Sequence, residues 1–310
     1  MENFKTADIL KVLLPHWKKL TIVAVLAIIV GFFISSPMVI KPLYKSYAVV
    51  YPVNLTPNSE ESNTEQLLQW FNSEEVKNVV AKKFNLYKHY DIDTLGEKHK
   101  TYFNLRYKEL VIINSTLYES IEISVKDEDP FLAKQIVQAI MEATNDLIMS
   151  AKKEVLKEYI NNYESELKVS AMAMDSIKTV VNEIKKEFNI IDEKSQAKYL
   201  SKELSNSSKL SEVNSKTAEG LKIKSVDLDK MKKILAGQVK TFNLLNNQKS
   251  LYHLDYANKI SFINVVSKPT LPDSKCYPIR SLIVAIITLS SLLVASIVIL
   301  FLNTKKQNVD

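Results

Sequence analysis

Two uncharged apolar runs, one near each end, limit what this chain can fold into more than any other feature. Leu20–Ile40 (LTIVAVLAIIVGFFISSPMVI) carries no charge in 21 residues, and Ser281–Leu302 (SLIVAIITLSSLLVASIVILFL) carries none in 22. At about 1.5 Å of rise per residue, each is long enough as a helix to cross a hydrocarbon core of roughly 30 Å. The first run is longer than the apolar core of a secretory signal and lacks an Ala-x-Ala exit, so it reads as an uncleaved anchor. The second has no polar face, which argues against a helix buried in a globular core. Lys5, Lys11, Lys18 and Lys19 precede the first run and Lys305 and Lys306 follow the second. The positive-inside rule then places both termini in the cytoplasm. Lys41, Lys45, Lys275 and Arg280 lie on the opposite flanks, at the ends of a segment long enough to be translocated largely regardless of charge. The segment between the spans is therefore expected outside the cytoplasm.

The polar middle offers little chemistry. Four glycines (Gly31, Gly96, Gly220, Gly237) and no GxxxxGK[ST] run cannot build a phosphate cradle. His16, His89, His99 and His253 have no ligand-like spacing with one another or with Cys276, so no metal site is expected. The single cysteine rules out an intrachain disulfide, leaving packing to hold the exported part together. Asp127, Glu128 and Asp129 cluster at a helix start, where capping and the helix dipole are explanation enough. A net charge of +6 comes from dispersed lysines, and an exported domain does not meet nucleic acid. No catalytic, cofactor-binding or metal residues are assigned.

Several short elements surround one long one. Lys45–Val53 reads as a strand leaving the membrane, followed by a polar, proline-containing loop over Asn54–Asn63. Asn72 and Glu75 frame a helix with Val76, Val79, Val80 and Phe84 on one face, and a second short helix is expected around Glu97–Lys108. Leu110–Ile113 and Ser120–Lys126 read as strands across a turn, and Lys259–Ser267 as a returning strand. Asp129-Pro130 then opens a helix. From Leu156 a ladder spaced 4,3 runs through Ile160, Tyr163, Leu167, Ser170, Met174, Ile177, Val181, Ile184, Phe188 and Ile191, broken only at Ser170. A second ladder returns as Leu228, Met231, Leu235, Gln238, Phe242, Leu245, Lys249, Tyr252 and Tyr256. Such seams indicate helix packed on helix, as an antiparallel hairpin of roughly 90 Å reach or as the shorter pieces of a four-helix bundle. The Ser-, Asn- and Lys-rich stretch around Ser201–Gly220 is expected to form its tip.

The fold class that follows is membrane α+β: two spans flanking a mixed α/β base domain with a long, coiled-coil-like helical hairpin. The expected divisions are 1–19, a cytoplasmic segment; 20–40, the first span; 41–129, the first part of the base; 130–258, the hairpin with its tip near 190–222; 259–280, a return strand and proline-rich segment; 281–302, the second span; and 303–310, a cytoplasmic tail. Ala27, Gly31 and Ser35 lie four apart on one face of the first span, and Ser291 and Ala295 repeat the spacing in the second. Small-residue stripes of this kind allow close helix approach.

Four features in order carry a resemblance. They are a basic amino end with a span; Lys41-Pro42-Leu43-Tyr44-Lys45-Ser46 leading into a strand; the strand, acidic turn and helix series ISVKDEDPFLAKQIV; and VVSKPTLPDSKCYPIR entering the second span. Across essentially its whole length the chain resembles Wzz-type chain-length determinants, polysaccharide co-polymerases of bacterial inner membranes. That family places prolines every third residue before its last helix; Pro269, Pro272 and Pro278 fit this register and Lys275 departs from it. The resemblance implies a homo-oligomeric ring in the inner membrane with a periplasmic main domain. The implied partners are a polysaccharide polymerase and a lipid-linked polysaccharide such as O-antigen, whose modal length the protein would set without catalysing a bond. A capsule or exopolysaccharide export co-polymerase working with a separate tyrosine kinase is the nearer alternative, and a two-span sensor the more distant one.

Overall fold

The computed structural model describes residues 12–57, 59–206 and 210–307. Lys5 and Lys11, residues 207–209 of the expected tip, the side chains of Lys305 and Lys306, and residues 308–310 lie outside the described residues. The chain divides into two compact units, one made of the residues up to Ile148 with those from Ser261 onward, the other of Met149–Ile260.

In the first unit a 3₁₀ turn (Leu14–His16) leads into α1 (Trp17–Ile34), and α9 (Arg280–Gln307) is the last helix. Both are long and apolar enough to cross a membrane, over Leu14–Ile34 and Arg280–Leu302, and most of their large apolar side chains are exposed. The first span stops at Ile34 rather than at the expected residue 40. Ser35 still donates its N–H to the Gly31 carbonyl, but Pro37 has no N–H and disfavours helical backbone in the residue before it.

Between the spans lie β1 (Leu43–Pro52), α2 (Asn63–Phe71), α3 (Glu74–Lys83), α4 (Leu86–His89), α5 (His99–Leu110), β2 (Val111–Ser115), β3 (Ile121–Asp127) and the first part of α6 (Pro130–Glu187). Then α7 (Glu193–Asn206), α8 (Glu212–Ala257), β4 (Ile263–Ser267) and β5 (Lys275–Tyr277) precede α9. The described strands form one antiparallel sheet in the order β2-β3-β1-β4, with β5 also on β1. Its alternation is visible in the register. Ala48 faces Ile123 and Val50 faces Ile121, all fully buried, whereas Lys45 and Glu122 on the opposite face pair at 3.1 Å in the open. Helices cover the apolar face: Leu67 and Phe71 of α2, Val76 and Val80 of α3, Phe103 and Leu110 of α5, and Ala133, Ile136, Val137 and Ile140 of α6 are all buried. Helix α2 was not expected. Its start is fixed by a capping box in which Ser62 accepts from Glu65 N–H while the Glu65 carboxylate takes the Ser62 N–H at 2.8 Å.

The second unit is helical. The first ladder lies on the covered side of α6 from Leu156 to Ile184 and continues at Phe188 just past its end, with Ile160, Leu167, Ser170 and Val181 buried. It fails at Ile191, which is 85% exposed, because α6 ends at Glu187 and Asn189 turns left-handed (φ 50°), handing the buried place to Ile190. On α8 the ladder from Leu228 to Tyr252 lies on the covered side, and Tyr159 and Tyr163 stack on Tyr252 at centroid distances of 5.2 and 5.6 Å. The stretch expected to form the tip is largely helical where described: α7 occupies 193–206 and α8 begins at Glu212. Gly220 therefore lies inside a helix. A Cβ there would come within 2.3 Å of Phe188 Cβ, so this glycine serves close helix approach and not a turn.

Candidate functional site: the junction of spans and sheet

The proline-rich segment is an interrupted edge strand laid along β1. Ser267 pairs with Val49 at the end of β4, the Thr270 N–H donates to the Tyr47 carbonyl at 3.2 Å, and β5 places Lys275 beside Tyr44 and Tyr277 beside Leu43. Proline cannot donate to a strand ladder, and Pro269 and Pro272 fall where the pairing between β4 and β5 lapses. A side chain bridges part of the gap: Ser46, fully buried, donates its hydroxyl to the Thr270 carbonyl at 2.6 Å. Lys275, where the proline register would continue, is a paired strand residue and can keep the N–H that proline lacks. Pro278 is buried and followed within two residues by α9, while Pro269 and Pro272 are half-buried. Cys276 lies in β5 with a free thiol.

Because β1 follows the first span and β5 precedes the second, one strand pair joins both to the sheet. The spans also meet directly. Ala27, Gly31 and Ser35 are the buried positions of the first span and its end, and a Cβ on Gly31 would lie 3.2 Å from Val284 Cα. The Ser35 hydroxyl donates back to the Phe32 carbonyl at 3.2 Å. Ser291 and Ala295 fall on the half-buried stripe of α9 that includes Val284.

At the same end of the sheet the acidic cluster separates into three jobs. Asp127, opposite Tyr44 in the register, is buried and receives His89 Nε2 at 3.0 Å to each oxygen as well as the Asp129 N–H at 2.9 Å. Glu128 pairs with Lys41 at 3.0 Å, a contact that raises the pKa of the lysine. Asp129 alone caps α6, accepting the Phe131 N–H at 2.9 Å. Beside them Tyr90 is held far above the ordinary phenol range, first by burial and then by the Asp127 charge, and its hydroxyl has no hydrogen-bond partner among the described residues. Sequence reasoning missed the His89–Asp127 pair, which joins residues 38 apart with no local pattern to announce it.

No protein-family model matches the chain, and no curated protein matches it. Solved structures do match. A full-length bacterial polysaccharide co-polymerase is similar over 98% of this chain and 99% of its own, at 12% identity and a TM-score of 0.49. The wild-type Shigella flexneri lipopolysaccharide O-antigen chain-length regulator WzzBSF is similar over 74% of this chain and 99% of its own, at 12% identity and a TM-score of 0.37. A Wzz dodecamer fitted to an experimental cryo-EM map is similar over 76% of this chain and 100% of its own, at 10% identity and a TM-score of 0.25.

Proposed function

We propose that this chain is a non-catalytic regulator of surface-polysaccharide length, acting as an oligomeric co-polymerase in a bacterial inner membrane with both termini in the cytoplasm. The observation that carries the reading is the VVSKPTLPDSKCYPIR segment, which has the proline register of chain-length determinants and runs along β1 into the last span. A stiff, strand-paired entry would fix the angle of that span against the sheet, as a protein that must hold a set geometry at the membrane requires. Pro269, Pro272 and Pro278 serve this entry, and the Ala27, Gly31, Ser35, Ser291 and Ala295 stripes serve close span packing. The remaining partners are further copies of the chain, a polymerase and its lipid-linked polysaccharide substrate. Deleting the gene and resolving surface polysaccharide on a gel tests the reading: the modal band cluster is expected to collapse to a broad distribution and to return on complementation. An unchanged ladder rejects it.

A further inference from the structure

A groove of about 650 Å³ opens between the two span helices. Ile28 and Phe32 of α1 form one wall, Val284, Ala285 and Leu289 of α9 the other, and Arg280 lies at the end next to the sheet. The volume falls in the roughly 300–1,000 Å³ range of small-molecule sites. Thr288 also lines it, but its hydroxyl donates to the Val284 carbonyl at 2.7 Å, so that polar atom is already satisfied. Ser281 lines it beside Arg280, so the groove is apolar over most of its length with Arg280 and Ser281 at the end next to the sheet.

Arg280 Nε is buried and has no hydrogen-bond partner among the described residues. Arg280 is the first residue of α9, at the positive end of the helix dipole, and no acidic residue shares its first turn. Two carboxylates at this end of the sheet are engaged elsewhere, Asp127 by His89 and Glu128 by Lys41. The Arg280 side chain as a whole is half-buried, with Nε shielded inside it, so an anion that complements the guanidinium can approach from outside the chain. Along two membrane-spanning helices the groove is bathed by acyl chains, and the anion found at the depth of a span end is a lipid phosphate.

We propose that the groove holds an acyl chain of an anionic phospholipid whose phosphate is bound by Arg280, in the leaflet adjoining the sheet. The apolar walls take the chain, and the forked N–H groups of arginine suit a phosphate better than a lysine ammonium would. This inference rests on the spans alone and stands whether or not the protein regulates a polysaccharide.

Native mass spectrometry tests it on the full-length protein released from nanodiscs containing equal phosphatidylglycerol and phosphatidylcholine. The wild type is expected to retain phosphatidylglycerol in preference. Arg280→Gln should weaken that preference by about fivefold, the equivalent of one basic residue at an anionic surface. Arg280→Lys should keep part of it, and Ala285→Phe, which fills the groove, should reduce retention of either lipid while helix content by circular dichroism is unchanged. Equal retention of the two lipids by the wild type overturns the proposal. So does undiminished phosphatidylglycerol in Arg280→Gln, and so does an Ala285→Phe variant that changes oligomeric state but not lipid retention, which would assign the groove to a second copy. Recovery of an isoprenoid phosphate in place of phosphatidylglycerol overturns the occupant.

Discussion

The sheet unit and the hairpin unit bury apolar residues in different geometries. In the first, Ala48, Val50, Ile121, Ile123, Val125, Ile136 and Ile140 all reach zero exposure, because a sheet face meets several helices from above and its own strands from both sides. In the second, burial is less complete. Ile160, Leu167 and Val181 keep 6–8% exposure, and among the described residues of that unit only Leu228 reaches zero. Apolar side chains such as Val169, Val180, Val226 and Val239 point outward on the same helices. A core closed in three dimensions punishes lost volume, whereas a seam between two helices punishes changes in their spacing.

The largest effect therefore belongs to a deletion inside the sheet core. Ile123 lies between Ala48 on one neighbouring strand and Ile113 on the other, so Ile123→Ala leaves a cavity that the strands cannot close. A loss of about 2–5 kcal/mol is expected. It would be read as reduced amide protection of β1 and β3 by hydrogen exchange on the full-length protein in detergent. A loss below about 1 kcal/mol would mean that this core can collapse around the gap, and the contrast with the seam would disappear.

The seam is tested by spacing instead. Gly220→Ala puts a methyl group within 2.3 Å of Phe188 Cβ, an atom next to backbone that cannot swing away, so the helices must separate. The expected cost is about 1–3 kcal/mol, seen as faster exchange around Phe188 and Gly220. Gly237 sharpens the comparison because it lies in the same helix with nothing within 4 Å of its would-be Cβ. Gly237→Ala should stabilise the helix by about 1 kcal/mol through propensity alone. If the two alanines act alike, glycine in this hairpin has no spacing role.

These glycines also show what the sequence could and could not disclose. Gly220 and Gly237 lie in the same helix, and the contact that separates their roles is with Phe188, 32 residues before Gly220. The seam is legible because its residues obey one local period; it misleads at Ile191, where a left-handed Asn189 breaks that period, and at Tyr256, which is exposed near the end of α8. Helix α7 is hidden within the expected tip because its apolar residues, Tyr199, Leu200 and Leu204, are few among serines and lysines. At the junction, the small-residue spacing is visible in the sequence, and the proline spacing takes its meaning from the family resemblance. That the proline segment runs along β1, that Ser46 reaches Thr270, and that Asp127 binds His89 depend on strand pairing and long-range packing, for which neighbouring residues hold no code.

The smallest expected effect concerns the capping box at the start of α2, a local device within the unit otherwise held by long-range packing. The Ser62 N–H and hydroxyl lower the Glu65 pKa below its ordinary value of 4.5. A carboxylate with a depressed folded pKa contributes stability that is fully present above the unfolded value and is lost as pH falls through the folded one. Exchange of the first-turn amides of α2, corrected for intrinsic rates, should therefore quicken below about pH 4.5 and not between neutrality and that point. Glu65 is solvent-exposed, so the change should stay confined to that turn while Ile121 and Ile123 remain protected. Glu65→Gln keeps a side chain able to accept from the Ser62 N–H but cannot titrate, and should abolish the pH dependence without freeing the turn. The same acid response in Glu65→Gln would place its origin elsewhere. Loss of protection in the sheet core at the same pH would show that the local cap and the core are one cooperative structure, removing the distinction between them.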